Sequence, residues 1–227
     1  MSAATAAEKM DRQYRFQRHI YDATRTHYLF WRRRLIADLE PKRGGSIVEV
    51  ACGTGWNLLR AAEYYPASPL YGFDISREML ATSKSSIARR GISERVTLAE
   101  GDATDFNLGQ MFGIEEADRI FISYALSMIP DWPAAVECAV AQLAPGGQLH
   151  IVDFGRMDHM PSLPRATFLR FLAHYNVTPR RDLEAVLQAA AIRHGLTLSF
   201  EEMRSGYTAY GVLTCPPHRT GKTKSGR

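Results

Sequence analysis

The sequence has no long hydrophobic run, and none of its segments approaches the ~18–20 consecutive apolar residues that a membrane-spanning helix needs. Its first residues also lack the apolar stretch of a secretion signal. We therefore expect a cytoplasmic protein that does not cross a membrane. Any association with the inner face of a membrane would be peripheral.

Cysteine is scarce, and Cys52, Cys138 and Cys215 form no CxxC pair. This spacing argues against a disulfide framework and against a zinc site, so we expect no bound metal. The hydrophobic share of 45% and the charged share of 23% are ordinary for a soluble globular chain.

Acidic residues are missing from the last twelve positions, which hold four Lys/Arg, whereas residues 1–44 hold 10 Lys/Arg against 5 Asp/Glu. The chain is therefore predicted to consist of a basic helical extension (1–44), a folded domain (45–215) and a basic disordered tail (216–227). Basic ends fit an anionic membrane surface, nucleic acid or an acidic small substrate.

Short β-rich runs alternate with helical patterns through the middle of the chain. This alternation predicts an α/β fold with a mostly parallel sheet covered by helices on both faces. The predicted strands are 46–51, 70–74, 96–99, 119–123 and 149–154. The predicted helices are 58–65, 76–90, 132–143 and 179–194, followed by an antiparallel hairpin of strands 196–200 and 207–213 at the sheet edge.

Aromatic residues recur every seven positions near the start, at Tyr14, Tyr21 and Tyr28. This spacing predicts one helix over residues 11–38, with an arginine stripe beside the aromatic one. A stripe of this kind commonly packs in a core, but each tyrosine hydroxyl also needs a partner or solvent.

A glycine turn follows the first predicted strand, in Cys52-Gly53-Thr54-Gly55. Glycines let the backbone turn tightly and approach a ligand, and the following helix presents free N–H groups. The dinucleotide-binding fingerprint requires a third glycine at position 58, where this chain has Leu58. The turn alone does not decide between cofactors.

Acidic residues stand at or just after the ends of the next two strands. Asp74 ends the second strand and is placed to accept the ribose hydroxyls of a nucleoside, and Asp102 follows the third, within reach of an adenine amino group. Because the carboxyl ends of parallel strands share one edge of a sheet, Glu49, Asp74 and Asp102 are expected to lie together.

With the Pro145-Gly146-Gly147 turn before the fifth strand, these motifs resemble those of class I S-adenosylmethionine (SAM)-dependent methyltransferases. The resemblance implies a Rossmann-like seven-stranded sheet with an antiparallel last strand. It also implies SAM as the cofactor, with Glu49 near its methionine amino group. The implied cofactor-binding set is Glu49, Cys52, Gly53, Thr54, Gly55, Asn57, Asp74, Ile75, Met79, Asp102, Ala103 and Ser123.

A narrower resemblance concerns the acceptor. The segments 10–25, 177–180 and 206–210 resemble bacterial diacylglyceryl-homoserine N-methyltransferases, which make a betaine lipid. The chain departs from that family at Trp56 and in the bulky basic segment 30–34. The Asn/Asp-Pro-Pro-Tyr/Phe tetrad of many nucleic-acid amino methyltransferases is absent after the fourth strand, so we expect no nucleic-acid partner.

The acceptor site must hold a neutral amine against the methyl donor, and tyrosine, arginine and carboxylate side chains suit that task. The catalytic candidates are Tyr14, His19, Tyr21, Tyr124 and Asp153. The substrate-binding candidates are Arg18, Arg25, Tyr207 and Tyr210. Asp153 could equally serve as a helix cap.

A lipid acceptor would account for the basic ends, which we expect to contact anionic head groups while Phe30 and Trp31 insert shallowly. The leading interpretation is triple methylation of diacylglycerylhomoserine. Methylation of phosphatidylethanolamine is the alternative. A third possibility, from another class, is a non-catalytic membrane- or nucleic-acid-binding module on the same fold. The oligomeric state is left open.

Overall fold

A computed structural model describes residues 29–203 and 205–217, which contain one seven-stranded sheet in the order β3-β2-β1-β4-β5-β7-β6. Its strands are β1 (Ile47–Val50), β2 (Leu70–Asp74), β3 (Val96–Glu100), β4 (Ala117–Ser123), β5 (Leu143–Phe154), β6 (Thr197–Met203) and β7 (Thr208–Thr214). Strands β1 to β5 pair in parallel, and β7 runs antiparallel to both β5 and β6. The predicted fold class and closing hairpin are confirmed, with β6 at the edge.

The helices of the described residues fall between these strands. They are α1 (Arg32–Ala37), α2 (Trp56–Tyr64), α3 (Arg77–Arg89), α4 (Leu108–Phe112), α5 (Trp132–Ala141), α6 (Ser162–His174) and α7 (Leu183–His194). Side-chain caps fix the first residue of several helices. At α3 the Ser76 hydroxyl accepts the Met79 N–H at 3.3 Å, and at α5 the Asp131 carboxylate accepts the Ala134 N–H at 3.3 Å. None of the helices in this part of the chain has the length and apolar composition to cross a bilayer.

Two apolar layers sandwich the sheet. Helices α4, α5 and α7 cover one face with residues such as Val136 and Leu187, and α1, α2, α3 and α6 cover the other with residues such as Leu58 and Leu172. All four β1 residues are buried because β1 is central and covered on both sides. A strand that is buried on both faces can contact a ligand only at its ends.

The long helix predicted over residues 11–38 is wrong in its described part, since helix α1 begins only at Arg32. Trp31 adopts a left-handed conformation with φ 70°. This conformation is incompatible with a continuous right-handed helix through residue 31. Long-range contacts of Phe30 with Tyr124 and Tyr207 fix this turn. Residues 1–28 lie outside the described part.

Two further boundaries differ from the sequence prediction. Helix α7 begins at Leu183 rather than at position 179, because Arg180 leaves the helical pattern and its guanidinium donates to the carbonyls of Leu126 and Ile129 at 3.0 and 2.7 Å. Strand β5 begins at Leu143, so it includes the predicted glycine turn, where its register with β4 shifts.

Candidate functional site

The glycine turn after β1 has a left-handed backbone at Ala51 (φ 55°), Gly53 (φ 53°) and Gly55 (φ 78°). At Gly55 an added Cβ would lie 2.2 Å from the Ser83 hydroxyl oxygen, so only glycine lets α2 pass this close to α3. A Cβ at Gly53 would meet no described atom within 4 Å. One glycine is therefore required by packing, whereas the other borders open space.

Leu58 occupies the position where the dinucleotide fingerprint has its third glycine, and the close approach of helix to strand is still present. The glycine that permits it is on the strand: a Cβ at Gly72 would lie 2.6 Å from Leu58 Cδ1. Sequence reasoning missed this role of Gly72. Its signal was a glycine inside a β-rich run, which commonly marks a close backbone approach.

Glu49 is buried at the end of β1 and accepts a 2.6 Å hydrogen bond from the side-chain amide of Asn57. Within the described residues, Glu49 Oε2 and Asn57 Oδ1 are buried acceptors without a hydrogen-bond partner. Burial raises the pKa of Glu49 to about 8, although Asn57 and the nearby Arg32 oppose the shift. These two buried, unpaired acceptors suit a cationic donor such as an ammonium group.

Asp74 is buried at the end of β2, and its carboxylate connects the turn to α3. Its Oδ2 accepts the Gly53 N–H at 2.8 Å, and its Oδ1 accepts the Ser76 N–H at 2.9 Å. Asp74 thus holds the glycine turn against the start of α3.

Asp102 is half-buried beyond β3 and accepts the N–H and hydroxyl of Thr104 at 2.9 and 2.8 Å, which closes the turn after the strand. The other predicted cofactor residues line the same edge at various depths. Buried members are Cys52, Thr54, Met79 and Ala103, and half-buried members are Ile75 and Ser123. The structure thus brings the predicted cofactor residues to the carboxyl edge of β1 to β4.

Arg32, at the start of α1, reaches the glycine turn and places its guanidinium 4.1 Å from the centre of the Trp56 ring. It is close enough to Glu49 and Tyr124 to affect the pKa of both. Arg32 and Trp56 are both departures from the betaine-lipid pattern, and here they stack on each other. Arg32 belongs to the basic extension 1–44 that was expected to contact membrane head groups, and its position at the glycine turn was not predicted from the sequence.

Tyr124 follows β4 in a left-handed conformation (φ 53°) and is buried. Its hydroxyl donates to the Phe30 carbonyl at 2.7 Å and lies 3.2 Å from the Thr208 hydroxyl. Burial raises the pKa of Tyr124, so the phenol stays neutral. In this arrangement Tyr124 holds residue 30 at the carboxyl edge.

Asp153 is fully buried near the end of β5, where Oδ2 accepts the Ser127 N–H at 3.1 Å and Oδ1 accepts the Phe154 N–H at 2.8 Å. Burial raises its pKa to about 6, against these bonds and the nearby Arg180. Its carboxylate thereby fixes the loop after β4.

Aromatic rings cluster where β4 and β5 end and β7 begins; we call this group the aromatic cluster. Its members are Phe30, Tyr124, Phe154, Phe168 and Tyr207. Neighbouring ring centres are 4.8 to 5.9 Å apart. Phe30 and Phe168 are half-buried, whereas the other three are buried. The structure places Tyr207 in this cluster.

Tyr210 lies apart from the aromatic cluster. It pairs with Val152 on the neighbouring strand, and its hydroxyl is 3.0 Å from His150 Nδ1. The Arg34 guanidinium lies 5.4 Å from its ring, on the side covered by α1. Burial lowers the pKa of His150 to about 3, so this ring is neutral and Tyr210 belongs to a packed polar contact.

The remaining predicted acceptor residues, Tyr14, Arg18, His19, Tyr21 and Arg25, lie outside the described residues.

Several basic residues predicted to contact head groups form ion pairs within the domain. Arg34 bonds to Glu201 at 2.5 Å, and Lys42 is 3.8 Å from Asp118. Trp31 is half-buried, with the Arg34 guanidinium 4.6 Å from its ring. Over the described ranges, no group of three or more His, Cys, Asp or Glu residues could hold a metal ion.

The first prediction concerns proton release at Glu49. At pH 7 its carboxyl is mostly protonated in the ligand-free protein, and an ammonium group favours the carboxylate. SAM carries such a group, so we expect SAM binding at pH 7 to release about one proton from Glu49. Titration calorimetry in buffers of different ionisation enthalpy measures this release.

The matched variant is Glu49→Gln, which removes the titrating group. Binding of SAM to this variant should release no proton from position 49. Because the folded-state pKa is raised, the stability that Glu49 contributes is present below its ordinary pKa of 4.5 and is lost as pH rises towards 8. The melting temperature of the ligand-free protein should therefore fall more between pH 6 and 9 than that of Glu49→Gln. Equal proton release by the two proteins would contradict the assignment.

Residues 18–191 match the family model of a methyltransferase domain. Demethylmenaquinone methyltransferases of Staphylococcus aureus are 29% identical over 135 residues, which cover 59% of this chain and 52% of theirs. The chain thus spans about half the length of these curated relatives.

Solved structures share the fold at lower identity. Phosphoethanolamine N-methyltransferase 2 of Haemonchus contortus, in complex with SAM, superposes with a TM-score of 0.66 at 16% identity, over 82% of this chain and 52% of that one. A chain from the complex of the Haloferax volcanii Trm112 methyltransferase activator with a putative methyltransferase superposes with a TM-score of 0.70 at 14% identity, over 93% and 99% of the two chains.

Proposed function

Because this chain belongs to the methyltransferase domain family and uses SAM as its cofactor, we propose that its acceptor is the head-group amine of a membrane lipid. The first candidate is diacylglycerylhomoserine, methylated three times to the trimethyl betaine lipid. The protein would then act peripherally at the cytoplasmic face of an anionic membrane.

The aromatic cluster is the observation that carries this proposal. It lies at the carboxyl ends of β4 and β5, beside the edge that holds Glu49 and Asp74. Aromatic faces attract ammonium groups, and quaternary ammonium ligands are recognised in aromatic cages. An amine that becomes a cation through methylation therefore suits this side of the site. Its apolar rings also suit the acyl chains of a lipid.

The residues present fit SAM, since Glu49 and Asn57 offer unpaired acceptors for its amino group and Asp74, at the end of β2, carries a carboxylate of the kind that binds ribose hydroxyls. When bound, SAM supplies an electrophilic methyl group. Methyl transfer from bound SAM would need a free lone pair on the acceptor, so the ammonium form of the amine would have to lose one proton before each round. The site must hold the amine neutral and in line for this displacement.

Buried groups of the acceptor side shape this step. In our proposal, Tyr124 keeps Phe30 at the edge, and Asp153 orders the loop after β4. Arg18 and Arg25 remain the proposed partners of the homoserine carboxylate, since a guanidinium can bind it through two hydrogen bonds. Arg32, which stacks on Trp56 beside Glu49, adds positive charge to the same region.

Phosphatidylethanolamine is the second candidate. The Haemonchus neighbour is named for N-methylation of phosphoethanolamine, and the same arginines could bind a phosphate in place of a carboxylate. A non-catalytic membrane- or nucleic-acid-binding module is the alternative from another class. The paired placement of Glu49 with Asn57 and of Asp74 with Gly53 favours an enzyme over that module.

The second prediction tests the acceptor directly. Purified protein is incubated with isotope-labelled SAM and vesicles containing either diacylglycerylhomoserine or phosphatidylethanolamine, and lipid products are followed by mass spectrometry. We expect mono-, di- and trimethylated homoserine lipid in succession, with at least tenfold slower labelling of phosphatidylethanolamine. Methylation of phosphatidylethanolamine alone would reject the betaine-lipid assignment, and labelling of neither would reject a lipid amine as acceptor.

A further inference from the structure

Helix α6 exposes a patch of apolar side chains, which we call the α6 patch. It consists of Leu163, Pro164, Thr167, Phe168 and Phe171. Leu163 is 77% exposed and Phe171 is 40% exposed. The Thr167 hydroxyl donates to the Leu163 carbonyl at 3.0 Å, so the polar atom of this side chain is satisfied within the helix. Contiguous apolar surface of this kind marks sites of protein or membrane contact.

The α6 patch continues inward to the acceptor side of the site. The Phe171 ring stacks on Phe168 at 6.0 Å, and Phe168 lies 5.1 Å from Tyr207 and 5.9 Å from Phe154. Tyr207 and Phe154 are buried members of the aromatic cluster. An unbroken series of aromatic rings thus connects the exposed helix with the carboxyl edge of the sheet.

The charges of α6 are of one sign. The helix contains Arg165 and Arg170 and no acidic residue. Arg165 bonds to Asp158 at 3.2 Å, whereas Arg170 is exposed and forms no ion pair with any residue of the described ranges. Bulky apolar residues beside arginine on one helix are typical of helices that lie in the interface of an anionic bilayer.

We propose that the α6 patch docks the enzyme on an anionic lipid bilayer, with Leu163 and Phe171 inserted among the head groups. This inference rests on the proposed function, because a lipid acceptor would then reach the aromatic cluster directly from the bilayer. A second copy of the chain is the less suitable occupant. Stable protein interfaces use roughly 20–30 residues a side, whereas the patch has five residues on one helix.

Co-sedimentation with vesicles of phosphatidylglycerol and phosphatidylcholine tests this docking without any acceptor amine. We expect the double substitution Leu163→Glu/Phe171→Glu to lower the bound fraction at least tenfold. Arg170→Glu should weaken binding severalfold at low salt and less at high salt. Ile192→Glu is the matched control, because Ile192 is 75% exposed on α7 and should leave binding unchanged. Circular dichroism and thermal melting confirm that each variant is folded.

A turnover assay separates this inference from the proposed function. On short-chain diacylglycerylhomoserine dispersed as monomers, we expect the double variant to retain wild-type activity. If no lipid amine is methylated but vesicle binding still depends on the patch, the docking surface stands and the proposed acceptor fails. Unchanged vesicle binding by the double variant overturns the docking proposal. An equal loss of vesicle binding in Ile192→Glu also overturns it. So does a double variant that changes from dimer to monomer in analytical sedimentation and still binds vesicles.

Discussion

Asp74→Ala should reduce the affinity for SAM at least a hundredfold. The carboxylate is expected to accept the ribose hydroxyls, and hydrogen bonds to a charged group contribute roughly 1.5–3 kcal/mol each. It also holds Gly53 and Ser76 through their N–H groups, so its loss frees the glycine turn. Titration calorimetry with SAM measures the change.

Asp105→Ala is the matched control, because Asp105 is an exposed aspartate in the loop after β3 and should leave SAM affinity within twofold of wild type. Asp74→Asn keeps one acceptor oxygen and should show an intermediate loss. An Asp74→Ala protein that is folded and binds SAM normally would show that the ribose lies elsewhere.

Substitution by alanine should affect mainly stability at Gly55 and mainly SAM binding at Gly53. Gly55→Ala combines a left-handed φ with a Cβ placed 2.2 Å from the Ser83 hydroxyl oxygen. We expect it to lower the free energy of unfolding by about 2–3 kcal/mol. The Cβ of Gly53→Ala would meet no described atom within 4 Å. This variant should therefore lower the free energy of unfolding by only about 1 kcal/mol, because of the positive φ at position 53. Its methyl group would instead enter the cofactor space and reduce SAM affinity at least tenfold.

Denaturant unfolding and calorimetry on both variants make this comparison. Adding Ser83→Ala to Gly55→Ala removes the hydroxyl in contact and should restore part of the stability, whereas it should not restore SAM binding to Gly53→Ala. If Gly53→Ala binds SAM as tightly as wild type, the open side of the turn does not face the cofactor.

The cofactor side of the site could be predicted from the sequence because its signals are local. Glu49, Asp74 and Asp102 stand at or after the ends of consecutive β-rich runs, and parallel pairing brings such ends to one edge. The structure places them there. The same reasoning holds for the helices that carry a capping serine or aspartate.

The parts that could not be predicted depend on contacts distant in sequence. A heptad of aromatic residues is compatible with one helix through Trp31, but the 2.7 Å bond from Tyr124 to Phe30, 94 residues apart, fixes a left-handed turn instead. Tyr207 and Tyr210 look equivalent in the sequence. Only the pairing of β7 with β5 shows that Tyr207 joins the aromatic cluster while Tyr210 faces His150.

The contact between Leu58 and Gly72 also affects how this fold is recognised in other sequences. Helix and strand approach closely because one of two facing positions lacks a side chain, and in this chain that position is on β2. The side-chain volumes at positions 58 and 72 are therefore coupled. A larger side chain at one position requires a smaller one at the other. Covariation between the two positions is thus a better signature of this turn than a glycine fixed at either one.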